Sequence, residues 1–364
     1  MRSGWHDGSM PGIDIEALED AWDDDTVVAP RGRPLASAAA QAQRSSQAAA
    51  RVVAVDRGRI RVALDEDGAI VDARYGGAMR GRRVVVGDRV RVASAAKGEA
   101  RIVERLDRTS VLRRTGDDMD RHERVVVANV DRVAVVVGAD NLDAGLRFAD
   151  RVIVAATAGG AVTTLIVNKV DLIDDDGRSA LDTSTAPYID AVDAVLHVST
   201  RSGEGIDRLH DHLAGAWTTF TGHSGVGKSS LFNLLVPDAE RAVGEVGPRG
   251  GRHTTVAAVA LPLPGRVAQD GSSAGGIEGW LVDTPGVRSF GLGMLGRREL
   301  AQSFPELRGL DCSLDDCNHA GEPGCALPDA AVHEVRIAAF HRLAAALERG
   351  NIDDDGYPPT APAG

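Results

Sequence analysis

The order in which a few short motifs follow one another constrains this chain more than its composition does. Gly222-His223-Ser224-Gly225-Val226-Gly227-Lys228-Ser229 fits G-x-x-x-x-G-K-[ST], between a short strand at Thr218–Thr221 and a helix beginning near Lys228. Glycines let such a loop fold around an anion with successive N–H groups turned inward. The helix start adds unpaired N–H donors and the positive end of a dipole. Here Lys228 is placed to reach the β- and γ-phosphates of a nucleotide and Ser229 to hold Mg²⁺, while Gly222 to Ser230 line the cradle.

Two further motifs end apolar strands. Asp283-Thr284-Pro285-Gly286 supplies a carboxylate for Mg²⁺ at Asp283 and, at Gly286, an N–H for a γ-phosphate. Asn168-Lys169-Val170-Asp171 supplies a carboxylate able to accept both guanine N1–H and the exocyclic amine, a donor pair that adenine lacks. Lys169 lies along base and ribose in this reading, and the loop at Ser199 and Thr200 completes the base site beside Asn168. An ordinary GTPase runs from phosphate loop through switch threonine and D-x-x-G to N-K-x-D and a Ser-Ala loop. Here 168–171 and 199–200 precede 222–229, Thr254/Thr255 and 283–286, so the expected core is a circularly permuted G domain with a mostly parallel sheet. Val287 stands where a water-orienting glutamine would follow Gly286, which predicts slow intrinsic hydrolysis. His253 is the internal candidate to assist it; the alternative is a loop histidine with no role. The D-x-x-G loop leads out of the core into a cysteine segment, so its motion would pass to a C-terminal domain.

The remainder divides around that core. The 364 residues carry a net charge of −12, but the sign is segregated. Residues 1–30 hold eight acids and one base, whereas 31–115 hold nineteen bases and nine acids. Residues 1–48 read as a disordered acidic and low-complexity leader, and 351–364 as a disordered tail. Short β-branched runs at 51–56, 59–64, 69–73, 84–86, 88–92 and 100–106 predict a small antiparallel barrel over 49–115, an OB-fold first and an SH3-like barrel second. Its arginines suit nucleic acid or a merely solvated surface, and Tyr75 is its one aromatic. The G domain is placed at 120–290, with a helix at 146–158 whose polar side is Arg147, Asp150 and Arg151.

Residues 291–350 are read as a zinc-binding domain with a long helix from about Asp329 to Arg349. That helix carries a stripe of Val332, Val335, Ala339, Phe340, Leu343 and Leu347. All three cysteines fall in one short stretch, where Cys312, Cys317, His319 and Cys325 give C-x₄-C-x-H-x₅-C, a donor set suited to one tetrahedral structural Zn²⁺. No apolar run spans a bilayer and no secretory signal is visible, which predicts a cytoplasmic protein without membrane contact.

In combination these motifs resemble the ribosome small-subunit-dependent GTPase A family, the circularly permuted bacterial GTPases of small-subunit maturation. The resemblance rests on GHSGVGKSSL at 222–231, GGRHTT at 250–255, DTPGVRSF at 283–290, NKVD at 168–171, ANVD at 128–131 and the cysteine segment. It implies an N-terminal OB-fold, a permuted GTPase and a C-terminal zinc domain. It also implies GTP and Mg²⁺, the 30S subunit, 16S rRNA and other assembly factors as partners, a monomer, and hydrolysis that the 30S subunit stimulates. Ser199-Thr200-Arg201 departs from the usual S-A-K, and Thr200 still offers a backbone N–H to the guanine oxygen. Two rivals remain at this level: a nucleotide-gated RNA-binding scaffold outside the ribosome, and an ATPase in which Asp171 is idle.

Overall fold

The computed structural model describes residues 47–56, 59–79, 82–94, 99–114, 124–237, 239, 258–266, 276–284, 292, 295–314, 317 and 319–349. The acidic leader, His253, Thr254, Thr255, Gly286, Val287 and the proline-rich tail lie outside the described residues.

Five strands close the N-terminal barrel: β1 (Ala48–Asp56), β2 (Arg59–Leu64), β3 (Ile70–Tyr75), β4 (Arg89–Ser94) and β5 (Ala100–Arg105). They pair in the order β1-β2-β3-β5-β4-β1, antiparallel except for β3 with β5. This Greek-key closure decides for the OB-fold over the SH3-like barrel. Alternating residues such as Val52, Ile60, Val62, Val90 and Ile102 fill its interior. The expected strand at 84–86 is absent apart from one bridge, Val86 to Val127. Asp88 accepts the Val85 N–H at 2.8 Å and Gly87 takes φ +90°, so a turn replaces extended pairing there.

The central layer follows with β6 (Val111–Arg114) paired to β7 (Arg124–Ala128), then β8 (Arg132–Gly138), α1 (Leu142–Ala158), β9 (Val162–Asn168), α2 (Asp175–Thr185), β10 (Ala194–His197) and α3 (Ile206–Leu213). It continues with β11 (Trp217–Thr221), α4 (Lys228–Leu235), β12 (Val259–Pro264) and β13 (Ile277–Asp283). The sheet order is β10-β9-β8-β11-β13-β12, parallel except for β12. β8 is apolar almost throughout because helices and loops cover both faces of a central parallel strand. α2 leaves no amphipathic pattern in the sequence: only Leu181 and Thr185 are buried on it, too few for an apolar stripe, and its start is set by Asp174 accepting the Gly177 N–H at 2.9 Å.

β12 also pairs with barrel strand β1 at Ala54–Val259, so barrel and core share one eleven-stranded sheet. A register shift between Val52 and Ala54 bends β1 where it leaves β4 for β12. At the same seam Arg51 lies 3.7 Å from the Trp217 ring and donates to the carbonyls of Gly87 and Asn129, and Trp217 stacks on Trp280.

The C-terminal lobe holds α5 (Arg297–Gln302) and α6 (Glu334–Glu348), packed on α1 through Val154, Leu300, Phe304, Phe340 and Leu343. Two expectations for these helices are corrected. Asp150 is buried on α1 rather than part of its polar side, and Val335 on α6 is 46% exposed. The apolar face of α6 continues one turn back from Phe340 to Arg336, a position three ahead of Ala339, and that arginine is buried against Asp150.

A nucleotide cradle and a metal centre

The functional motifs meet at the carboxyl ends of the parallel strands, where open α/β sheets place their ligands. β11 runs straight into the glycine loop. Gly227 takes φ +95°, and a Cβ there would run into Asn168 Nδ2. Lys228 turns back over the loop, donating to the carbonyls of Gly222 and His223 at 2.7 Å each. Ser229 and Ser230 face outward in the first turn of α4, where backbone N–H groups have no helical partner.

The base loop is tied to the phosphate loop. Buried Asn168 donates from Nδ2 to Val226 O at 2.8 Å and accepts the Thr200 N–H at 3.2 Å. Ser199 Oγ donates to Asp171 Oδ1 at 2.6 Å, which orients the carboxylate of this exposed residue. Thr200's N–H is thus engaged by Asn168 rather than open toward a base. The lysine of the motif is left-handed, with φ +68°, and its Nζ meets Asp140 Oδ2 at 2.7 Å. Asp140, just past β8, belongs to no motif legible in the sequence.

β13 brings Asp283 beside the cradle, since Thr219 on β11 pairs with Val282 and its hydroxyl donates to Val282 O at 3.2 Å. Crowding at the strand end raises the Asp283 carboxyl above the ordinary aspartate value even though the residue keeps an exposed face, and the Lys228 ammonium opposes that rise. Asn168, Lys169, Asp171, Ser199, Thr200, residues 222–230 and Asp283 therefore form one cluster. Asn129 of the ANVD segment serves elsewhere: its side chain accepts the Thr109 N–H at 2.8 Å and donates to Gly87 O at 3.0 Å, fastening barrel to core.

Cys312, Cys317, His319 and Cys325 bring their ligand atoms within 4.8 Å of one another. Cys312 Sγ and Cys325 Sγ lie 3.6 and 4.0 Å from His319 Nδ1. Bonds of about 2.3 Å to sulfur and 2.0 Å to nitrogen give tetrahedral edges of roughly 3.5–3.8 Å, so the donors fit a four-coordinate ion. Backbone N–H groups of His319 and Ala326 point at Cys317 Sγ (3.4 Å) and Cys312 Sγ (3.3 Å), the arrangement that suits thiolates. His341 on α6 binds the His319 carbonyl at 2.7 Å and anchors the loop to the helix. The cluster is a structural metal site with no position open for chemistry.

A phosphate loop, a base loop upstream of it and a D-x-x-G strand end on one sheet, flanked by an OB barrel and a Cys₃His lobe, define a circularly permuted GTPase. The family model described as RsgA GTPase matches residues 105–293. The small ribosomal subunit biogenesis GTPase RsgA of Bacteroides fragilis is 31% identical over 299 residues, covering 78% of this chain and 93% of that protein. The protein of the same name from Alcanivorax borkumensis is 38% identical over 275 residues, 73% of this chain and 74% of the relative. Among solved structures, YjeQ from Thermotoga maritima superposes with a TM-score of 0.66 at 26% identity, covering 83% of this chain and 99% of that one. The circularly permuted GTPase YloQ shares the fold, with a TM-score of 0.63 at 21% identity over 87% of this chain and 98% of its own. The chain belongs to the RsgA family of circularly permuted GTPases.

Proposed function

We propose that this protein hydrolyses GTP to GDP and phosphate as a slow timer in late maturation of the small ribosomal subunit, and that the subunit accelerates it. The observation that carries the reading is the joining of base loop and phosphate loop through Asn168, in a chain whose relatives are small-subunit biogenesis GTPases. Asp171, held by Ser199, selects guanine; Lys169 lies along the base; Lys228 leaves its two loop carbonyls to meet the β- and γ-phosphates. Ser229 and Asp283 hold Mg²⁺, which when bound neutralises charge on the phosphate oxygens. Thr254 or Thr255, Gly286 and His253 complete the γ-phosphate side. Val287 leaves the water-orienting role to a partner.

The Cys₃His site holds Zn²⁺, the ion matched to three thiolates and one imidazole. The barrel (49–115) presents Arg59, Arg89 and Arg101 to 16S rRNA, the permuted domain (120–290) reads the nucleotide, and the zinc lobe (291–350) receives its state. Among the described residues no helix is long and apolar enough to cross a membrane. On the present reading the protein works as a monomer at the ribosome in the cytoplasm. GTP turnover with and without purified subunits tests the proposal. Acceleration by 30S but not 50S subunits is expected. Turnover indifferent to 30S, with RNA binding still gated by nucleotide, would instead establish a scaffold outside the ribosome.

A further inference from the structure

Asp140 lies where no motif calls for an acid. β8 and β9 are parallel neighbours, and their last paired residues are Gly138 and Asn168. Two residues beyond Gly138, the Asp140 carboxylate turns back to meet Lys169 Nζ at 2.7 Å. A Cβ on Gly138 would collide with Asp140 Oδ1 and lie 3.9 Å from Lys169 Cδ, so the glycine is the space in which carboxylate and lysine stem lie together. Lys169 is also held at its backbone, in the left-handed region and with its carbonyl accepting the Leu172 N–H at 3.0 Å. The side chains are 28% and 42% exposed, so the pair is not part of the core. An exposed ion pair contributes little to folding. It does restrict a long side chain that would otherwise have to be ordered when a ligand arrives.

We infer that Asp140 is a positioning residue of the guanine site: it holds Lys169 extended along the plane that base and ribose occupy before nucleotide binds. The inference rests on the base-site reading of Asn168, Lys169 and Asp171. Asp140 touches no nucleotide atom; it acts through the lysine. Its contribution is therefore to affinity and is blind to the exocyclic amine, which Asp171 reads.

The test is calorimetric binding of GDP and IDP, with Mg²⁺, to the full chain and to Asp140→Asn, Asp140→Ala and Asp140→Glu, together with turnover at saturating GTP. Asp140→Asn and Asp140→Ala are expected to weaken GDP about three- to tenfold, the scale of ordering one long side chain. IDP should weaken by the same factor, KM should rise with kcat unchanged, and Asp140→Glu should restore most of the affinity. Unchanged GDP affinity in Asp140→Ala overturns the inference, as does a loss confined to kcat. Asp171→Asn measured with GDP and XDP forms a separate arm. If it fails to shift preference toward XDP, the base-site reading fails whatever Asp140 does; if it shifts while Asp140→Ala changes nothing, only the present inference fails.

Discussion

Arg336 is among the largest fully buried side chains described, and it is charged. Its guanidinium meets Asp150 of α1 and Glu306, and lies 5.0 Å from the Tyr188 ring and 4.9 Å from Phe304, while Arg342 meets the second Asp150 oxygen at 2.7 Å. Burial alone would lower Arg336, but the Asp150 and Glu306 carboxylates more than reverse this and leave it raised. Two acids and two bases cancel, yet Arg336 Nη2 and Glu306 Oε2 find no hydrogen-bond partner, so the cluster is a poor source of net stability. It is a demanding one to break. Asp150→Ala leaves two guanidiniums with Glu306 as the one remaining carboxylate of the cluster, strips Arg342 of its Asp150 partner, and is expected to destabilise by about 3–5 kcal/mol. The double variant Asp150→Ala/Arg336→Met should recover much of that loss. Thermal unfolding of the three proteins checks both, and a double variant no better than the single one would refute the account.

At the scale of elements, the metal loop depends on its ion more than any helix does. Among the described residues between Gly309 and Leu327 there is no helix or strand, and His319 is held at φ +52° with Gly321 and Gly324 also left-handed. Leu314 is 42% exposed, and Leu307 and Leu327 are the buried apolar residues that bracket the segment. Such a loop has too little core to fix itself, and its metal binding energy is its folding energy. One zinc per chain is expected by elemental analysis. Chelation should open residues 309–327 to protease while α1 and β8 stay protected; cleavage unchanged by chelator would sink the assignment.

Across the whole molecule, the permutation changes what the nucleotide loops are wired to. β13 ends at Asp283 and the chain proceeds into the C-terminal lobe, while β12, just after the Thr254–Thr255 segment, hydrogen-bonds to barrel strand β1. A γ-phosphate-dependent movement of either loop therefore has a covalent or hydrogen-bonded route to a flanking lobe. Hydrogen exchange is expected to differ between GDP and a non-hydrolysable GTP analogue in residues 292–349, and at β1 and β12. Identical protection in both states would remove the idea that this protein's lobes read its nucleotide.

Much of this was legible in order and spacing alone. The loop at 222–229, the strands that precede it, the permuted succession of motifs and the Cys₃His set follow from local chemistry: glycine torsions, apolar runs and ligand spacing act within a few residues and leave their pattern in the chain. The strand runs are compatible with either an OB or an SH3-like barrel, because they do not specify that β3 pairs parallel with β5. What only the tertiary structure decided are contacts between residues far apart in the chain. Asp150 and Arg336 each look like a polar residue on an amphipathic helix, and their burial is possible only because each brings the charge the other lacks. Arg51 against Trp217, and Asp140 against Lys169, are likewise invisible until the sheet sets strands side by side. Local pattern shows which atoms can bind a phosphate or a metal; packing across the chain determines which charges are held, and against what.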